Sequence, residues 1–183
     1  AVAVLFAVPA GVVAAARACT WADRLVMGFS VLAFSVPVFV LAYLLIGVFS
    51  IHLEWLPVQG YRPMEEGLWP WLSHLILPSI ALGTVYAALI ARITRAAMLD
   101  VLSQDYIRTA QAKGLMQRTV LSRHALKNAG VPIVTVIGIG IALLISGAIV
   151  TETVFAIPGI GRLTVDAILR RDYPIIQGVI LLF

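Results

Sequence analysis

Val26–Phe49 reads VMGFSVLAFSVPVFVLAYLLIGVF, a stretch without a single charged residue. As a helix rising about 1.5 Å per residue it reaches roughly 36 Å, enough to cross a hydrocarbon core of about 30 Å. Pro37 stands in its middle, which a membrane helix absorbs as a kink where neighbouring helices protect the freed carbonyl. The remainder of the chain has the same character. Of its 183 residues, 61% are apolar and 12% charged, and the mean hydropathy is +1.01. A soluble domain carries about a quarter charged residues. One soluble core of this size cannot hide such an excess, so the fold class expected is an all-α, polytopic membrane protein.

Working outward from 26–49, further spans are expected at 74–91 and 131–153. Partial spans are expected at 1–16, which contains Pro9, and at 174–183. The chain starts at Ala1 and stops at Phe183, both inside apolar runs, so it is expected to be a piece truncated at both ends. No signal-peptide pattern is visible at its start. Residues 17–25 read as a short polar connection. Residues 50–73 hold Pro57, Pro63 and Pro70 with Trp55, Trp69 and Trp71, the tryptophans suiting an interfacial belt.

Charge sets the orientation. The segment 92–130 carries Arg92, Arg95, Arg108, Lys113, Arg118, Arg123 and Lys127 against Asp100 and Asp105. The segment 50–73 carries Arg62 against Glu54, Glu65 and Glu66. The positive-inside rule therefore places 17–25 and 92–130 in the cytoplasm. Arg162, Arg170 and Arg171 pull the other way and are offset by Glu152, Asp166 and Asp172. This distribution favours a membrane role over nucleic-acid binding for the net charge of +4.

Within the basic segment, Leu99, Leu102, Tyr106, Ile107 and Ala110 recur at helical spacing and define one apolar face. Ser103 and Asp105 suit a helix start, and Gly114 suits a stop because glycine accepts positive φ at a C-cap. A second helical stretch through His124 and Asn128 then leads to Pro132 and back into the membrane. The element expected is helix, glycine turn, helix. It is shaped either to dock into another protein's groove or to bind anionic headgroups.

The wording of this segment carries a resemblance. Tyr106-Ile107-Arg108-Thr109-Ala110-Gln111-Ala112-Lys113-Gly114-Leu115, then His124-Ala125-Leu126-Lys127-Asn128-Ala129 and Pro132, resembles the cytoplasmic loop of ABC importer permeases. The match is to the dipeptide/oligopeptide (and nickel) branch. The general form is Glu-Ala-Ala, three residues, Gly, nine residues and Ile-x-Leu-Pro. Aligned on Gly114, this chain has Arg108-Thr109-Ala110 for Glu-Ala-Ala and His124 for Ile. It keeps Leu126, and Lys127 stands for Pro, which looks like the peptide branch's own version. Leu56-Pro57-Val58, Leu77-Pro78, Arg92-x-x-Arg95, Thr151-Glu152-Thr153-Val154-Phe155, Pro158-Gly159-x-Gly161-Arg162 and Arg170-Arg171-Asp172-Tyr173-Pro174 also look like that branch, so the resemblance covers nearly the whole chain.

The resemblance implies a helical bundle of the ABC type I importer permease kind, in a prokaryotic inner or plasma membrane. Two permeases, this one and a second that is homologous but distinct, would form the pathway. Two cytoplasmic ATPases would use ATP and Mg, and an extracytoplasmic binding protein would deliver peptide, nickel or another small solute. The loop around Gly114, with Tyr106, Arg108, Thr109, Ala110, Ala112, Lys113, Leu115, His124 and Leu126, would be the element coupling permease to ATPase.

Other features stay open between two readings. Gly138, Ala142 and Ser146 share a helix face, suited to permease–permease or pathway contact or to packing within one subunit. Glu152, near the end of a span, would be a gate or outer contact, or would cap or pair locally. Arg92 and Arg95 look like snorkelling anchors. Segment 162–173 reads as a short outer helix or a re-entrant piece. His52, His74 and His124 are scattered, and the single Cys19 permits no internal disulfide, so no metal set is expected.

The chain shows no phosphate-binding Gly-x-x-x-x-Gly-Lys-Ser/Thr, no Gly-x-Ser-x-Gly and no His-Glu-x-x-His pattern. It is read as a permease rather than an enzyme, with nucleotide chemistry in a partner. An ion-coupled carrier would call for ionisable residues at mid-span or helices broken at the bilayer centre, and the absence of charge from 26–49 and 131–150 counts against it.

Overall fold

The computed structural model describes residues 2–147 and 149–182, apart from the side chains at 143, 145–147 and 182. Among these residues there is no strand. Helix α1 (Val2–Ala16) contains Pro9. After a turn in which Cys19 takes φ +64°, α2 spans Trp21–Ser35. The helix α3 follows over Val38–His52, its last seven residues, Ile46–His52, wound as a π-helix. The long α4 covers Leu68–Leu102 and the short α5 Asp105–Ala112. Next come α6 (Gln117–Asn128), α7 (Gly130–Gly147), α8 (Ile149–Val154), α9 (Ile160–Arg170) and α10 (Tyr173–Leu182).

Three local differences from the sequence expectations have simple causes. The stretch 26–49 is two helices, with Pro37 at the N-cap of α3 (φ −57°, ψ 142°). Proline lacks the amide that would continue α2 and pushes the preceding residue away from helical geometry. The expected loop 92–130 begins as helix, because α4 runs on to Leu102. Its 35 residues reach about 52 Å, well beyond a core of about 30 Å. The polar connection 17–25 is also mostly structured, since α2 begins at Trp21.

Among the described residues, α4 is the one helix long and apolar enough by itself to cross a bilayer. The pairs α2 with α3 and α6 with Gly130–Ala142 satisfy the same test only as broken spans, the latter bent by 59°.

The described residues form two compact units, Ala1–Ser35 with Thr84–Ile141 and Val36–Gly83 with Ala142–Phe183. In the first unit, buried Ala15, Met98, Ile107, Ala110, Val120, Ala125, Ala129 and Ile133 make one core. It gathers the end of α1, the end of α4, all of α5 and α6, and the start of α7. Fully burying a side chain such as Met98, Ile107 or Val120 contributes about 1.5–3 kcal/mol over leaving it in water, so the basic segment is anchored in a packed core that it shares with α1 and α7. A second cluster joins Ala7 to Ile90 and Ala91. Between them a Cβ on Gly11 would stand 2.6 Å from the Ala91 carbonyl oxygen and from Thr94 Cβ. Only glycine allows α1 to lie this close to α4.

In the second unit, Ala42, Ile46, Leu77, Ala81, Val154 and Phe155 form the core. The loop after α3 is pinned to it by backbone and side-chain bonds. Gln59 Nε2 donates to the Val154 carbonyl at 2.9 Å, and the Gly60 amide donates to the Phe155 carbonyl at 2.9 Å.

Candidate functional site

The apolar positions of the basic segment divide between core and surface. Ile107 and Ala110 are buried at 1% and 8% exposure and seat α5 against α4 and α6. Tyr106 is exposed, but its hydroxyl accepts a hydrogen bond from Asn128 Nδ2 at 2.8 Å, tying α5 to the end of α6. Expected helix-start residues behave differently. The N-cap of α5 is Gln104, with no side-chain cap, and the Ser103 hydroxyl donates backward to the Asp100 carbonyl at 2.8 Å.

The glycine stop is a Schellman turn. Gly114 takes φ +78°. Its amide donates to the Gln111 carbonyl at 2.9 Å, and the Leu115 amide donates to the Ala110 carbonyl at 3.4 Å. These are the two bonds that satisfy the last carbonyls of a helix ending in a left-handed residue. A Cβ on Gly114 would meet nothing within 4 Å, so the demand for glycine is one of backbone angle rather than space.

What the turn presents is apolar. Leu115 is 40% and Met116 71% exposed, flanked by exposed Arg108, Thr109, Ala112 and Lys113. His124 and Leu126 lie half-buried on α6, whose Val120–Ala125 portion is π-wound. A rigid base with an adaptable apolar tip and basic flanks fits insertion into a complementary cleft.

The base is held from below. Arg95, on the last turns of α4, makes a two-point ion pair with Asp23 in the first turn of α2 through Nε to Oδ1 and Nη2 to Oδ2, the latter at 2.7 Å. The Cys19 amide donates to the same carboxylate at 3.0 Å. The Arg95 guanidinium holds the Asp23 carboxyl below the ordinary carboxylate range, with the Cys19 amide adding to it against the opposing effect of burial. Arg95 is therefore an ion-pair partner rather than a snorkelling anchor. Arg92 sits over the Phe34 ring, 5.5 Å from its centroid, a cation–π contact.

A family model described as binding-protein-dependent transport system inner membrane component matches residues 7–183. The chain belongs to this family of ABC transporter permeases.

Relatives agree with the assignment. The permease is 58% identical, over 94% of its length, to a probable peptide ABC transporter permease protein of Sinorhizobium fredii, and covers 55% of that protein. It is 48% identical, over 99% of its length, to the glutathione transport system permease protein of Escherichia coli, covering 56% of it. The protein of the same name in Shigella flexneri gives the same identity and coverage. The chain thus spans a little over half the length of the curated relatives it matches. The family is that of an all-α inner-membrane component, in keeping with the helices seen.

Elsewhere in the permease, Glu152 is engaged locally. Its Oε2 accepts the Arg162 amide at 3.0 Å, which puts a carboxylate at the N-terminus of α9, where free amides and the helix dipole favour it. Gly159 and Gly161 make room for it. A Cβ on Gly159 would overlap the Glu152 carboxylate, and one on Gly161 would stand 2.6 Å from Ile149 Cα. The motif from Glu152 to Arg162 is thus one capped turn, and 162–173 is mostly the helix α9. It ends at Arg171, in the left-handed region.

On α7, Gly138 and Ala142 are exposed, and the side chain of Ser146 lies outside the described residues. The close approach on this helix is at Gly140, where a Cβ would stand 3.3 Å from the Tyr86 ring. Among the described residues no cluster of three or more His, Cys, Asp or Glu is placed to hold a metal ion.

Two residues of the Gly114 element and its support were not singled out in the sequence as part of it, Asp23 and Met116. Asp23 acts through Arg95, a partner distant in the chain. Met116 carried a readable signal, an apolar side chain directly after a glycine stop in a polar segment.

Proposed function

We propose that this permease is a pathway-forming subunit of an ATP-driven importer of small peptides, coupled to a cytoplasmic ATPase through the turn at Gly114. The observation that carries the proposal is the Schellman turn. It projects Leu115 and Met116 from a base built of α4, α5 and α6, so that force on the tip reaches the long helix. ATP and Mg belong to two partner ATPases, and this chain contributes the docking surface. A second, homologous permease completes the pathway, with the exposed Gly138 and Ala142 of α7 suited to close helix approach. An extracytoplasmic binding protein supplies cargo. The relatives named for peptide and for glutathione, itself a small peptide, support the cargo class.

The test is Gly114→Val in the full-length permease, co-expressed with its ATPase, second permease and binding protein. A β-branched residue is a poor fit to φ +78°, so the turn should reshape and the ATPase should no longer co-purify. Normal co-purification and normal uptake of labelled glutathione or dialanine by this variant would end the coupling reading.

A further inference from the structure

We propose that Asp23 and Arg95 are positioning residues for energy coupling, their ion pair clasping the α1–α2 connection to the cytoplasmic end of α4 so that displacement of the Gly114 turn is passed to the first two helices. The inference rests on the coupling role proposed for that turn.

Three observations meet at this place. Asp23 is 4% exposed, and its carboxylate takes both the Arg95 fork and the Cys19 amide. It therefore holds α4 and the turn before α2 at once. The neighbouring Thr94 is fully buried and faces Gly11 at a distance that admits no Cβ, so α1 bears on the same turn of α4. Ala15, one turn further along α1, lies in the core that also holds Ile107, Ala110, Val120 and Ala125 of the coupling element. The α1–α2 hairpin is thus gripped by α4 and by the coupling element together.

A buried ion pair is a weak source of stability, because desolvation offsets most of its attraction and a well-packed apolar pair often does as well. What the planar guanidinium fork adds is direction, since two parallel bonds fix orientation where a packed contact permits sliding. Arg92 over Phe34 adds a second tie between α4 and α2.

Cys19 is exposed and sits in the clasped turn, so it reports on the hairpin. The experiment uses the assembled transporter with Cys19 as its one cysteine and a maleimide as probe, comparing the nucleotide-free and vanadate-trapped states. In the parent the labelling rate should differ between states by about fivefold or more. In Asp23→Asn the ratio should approach one while the ATPase still co-purifies. The exchange Asp23→Arg with Arg95→Asp should restore it, and Arg95→Lys, which keeps charge without the fork, should fall between. A parent ratio of one, or an unchanged ratio in Asp23→Asn, would overturn the clasp. If Asp23→Asn does not assemble, Arg95→Lys decides by the same ratio. Loss of ATPase co-purification in the parent would instead count against the coupling role of the Gly114 turn.

Discussion

The Asn128 amide donates to the Tyr106 hydroxyl at 2.8 Å across 22 residues of chain, joining the start of α5 to the end of α6 on either side of the Gly114 turn. The Asn128 amide also donates to the His124 carbonyl at 2.9 Å. The turn is thereby the closed end of a helical hairpin rather than a free loop. Removing one exposed bond of this kind costs about 0.5–1.5 kcal/mol. Tyr106→Phe should therefore leave the permease folded and weaken ATPase binding by less than about tenfold. Titration of the purified ATPase against permease in nanodiscs measures this, and a complete loss of binding would assign the Tyr106 hydroxyl a direct contact instead.

Gly114 sits in open space at positive φ, so the penalty for replacing it should follow backbone preference alone. Asn visits this region at little cost, whereas other residues lose roughly 1–2 kcal/mol. Gly114→Asn should retain most transport, Gly114→Ala less and Gly114→Val least. A ranking by side-chain volume, with Asn worse than Ala, would contradict a purely conformational demand.

At the other end of the permease, Glu152→Gln should remove the charge from the α9 cap at a cost of about 1 kcal/mol. Gly161→Ala should cost more, about 1–3 kcal/mol, because its Cβ would press on the Ile149 backbone. Gly159→Ala meets the end of a side chain that is able to move, and should resemble loss of the cap. Thermal unfolding in detergent, with proteolysis between 156 and 171, reads both effects.

Thr94 carries a buried hydroxyl without a hydrogen-bond partner. Thr94→Val keeps the shape and removes the unsatisfied group, so it should stabilise the permease by about 1 kcal/mol. Gly11→Ala, against the same residue, should destabilise it by about 1–3 kcal/mol. The two unfolding midpoints should move in opposite directions.

The Asp23 carboxyl is held below its ordinary range in the folded permease. A depressed carboxylate pKa contributes stability above the unfolded value, and that contribution is lost as pH falls through the folded value. The stability gap between the parent and Asp23→Asn should therefore be constant from about pH 6 to pH 8 and close only below about pH 4. A gap that closes near neutral pH would mean that another group controls the pair.

How much was legible in the sequence depended on the range of the interaction. The helix–Gly114–helix order followed from local rules, because a glycine after an amphipathic run marks a left-handed cap. The burial of Ile107 and Ala110 followed from helical periodicity. Asp23 was not legible. It lies between Arg17 and Arg24 in what reads as a solvated turn, and its partner Arg95 is 72 residues away. Glu152 could be placed near a span end, but its bond to the Arg162 amide depended on the close approach of Gly159 and Gly161, which spacing does not reveal. Pro37 was read as a kink and stands as a helix N-cap, since the choice between bending and breaking lies in the packing of Val38 and Leu45 against the core around Ala42.

The docking of the exposed tip is tested most directly by Met116→Cys in the assembled transporter, with Cys19→Ser to remove the other exposed thiol. A benzophenone-maleimide attached to this thiol, which on irradiation inserts into C–H bonds and needs no partner thiol, should join this position to the ATPase, and Gly114→Val in the same background should abolish the product. A Met116→Cys permease that assembles and transports but gives no ATPase product would contradict the docking of this turn.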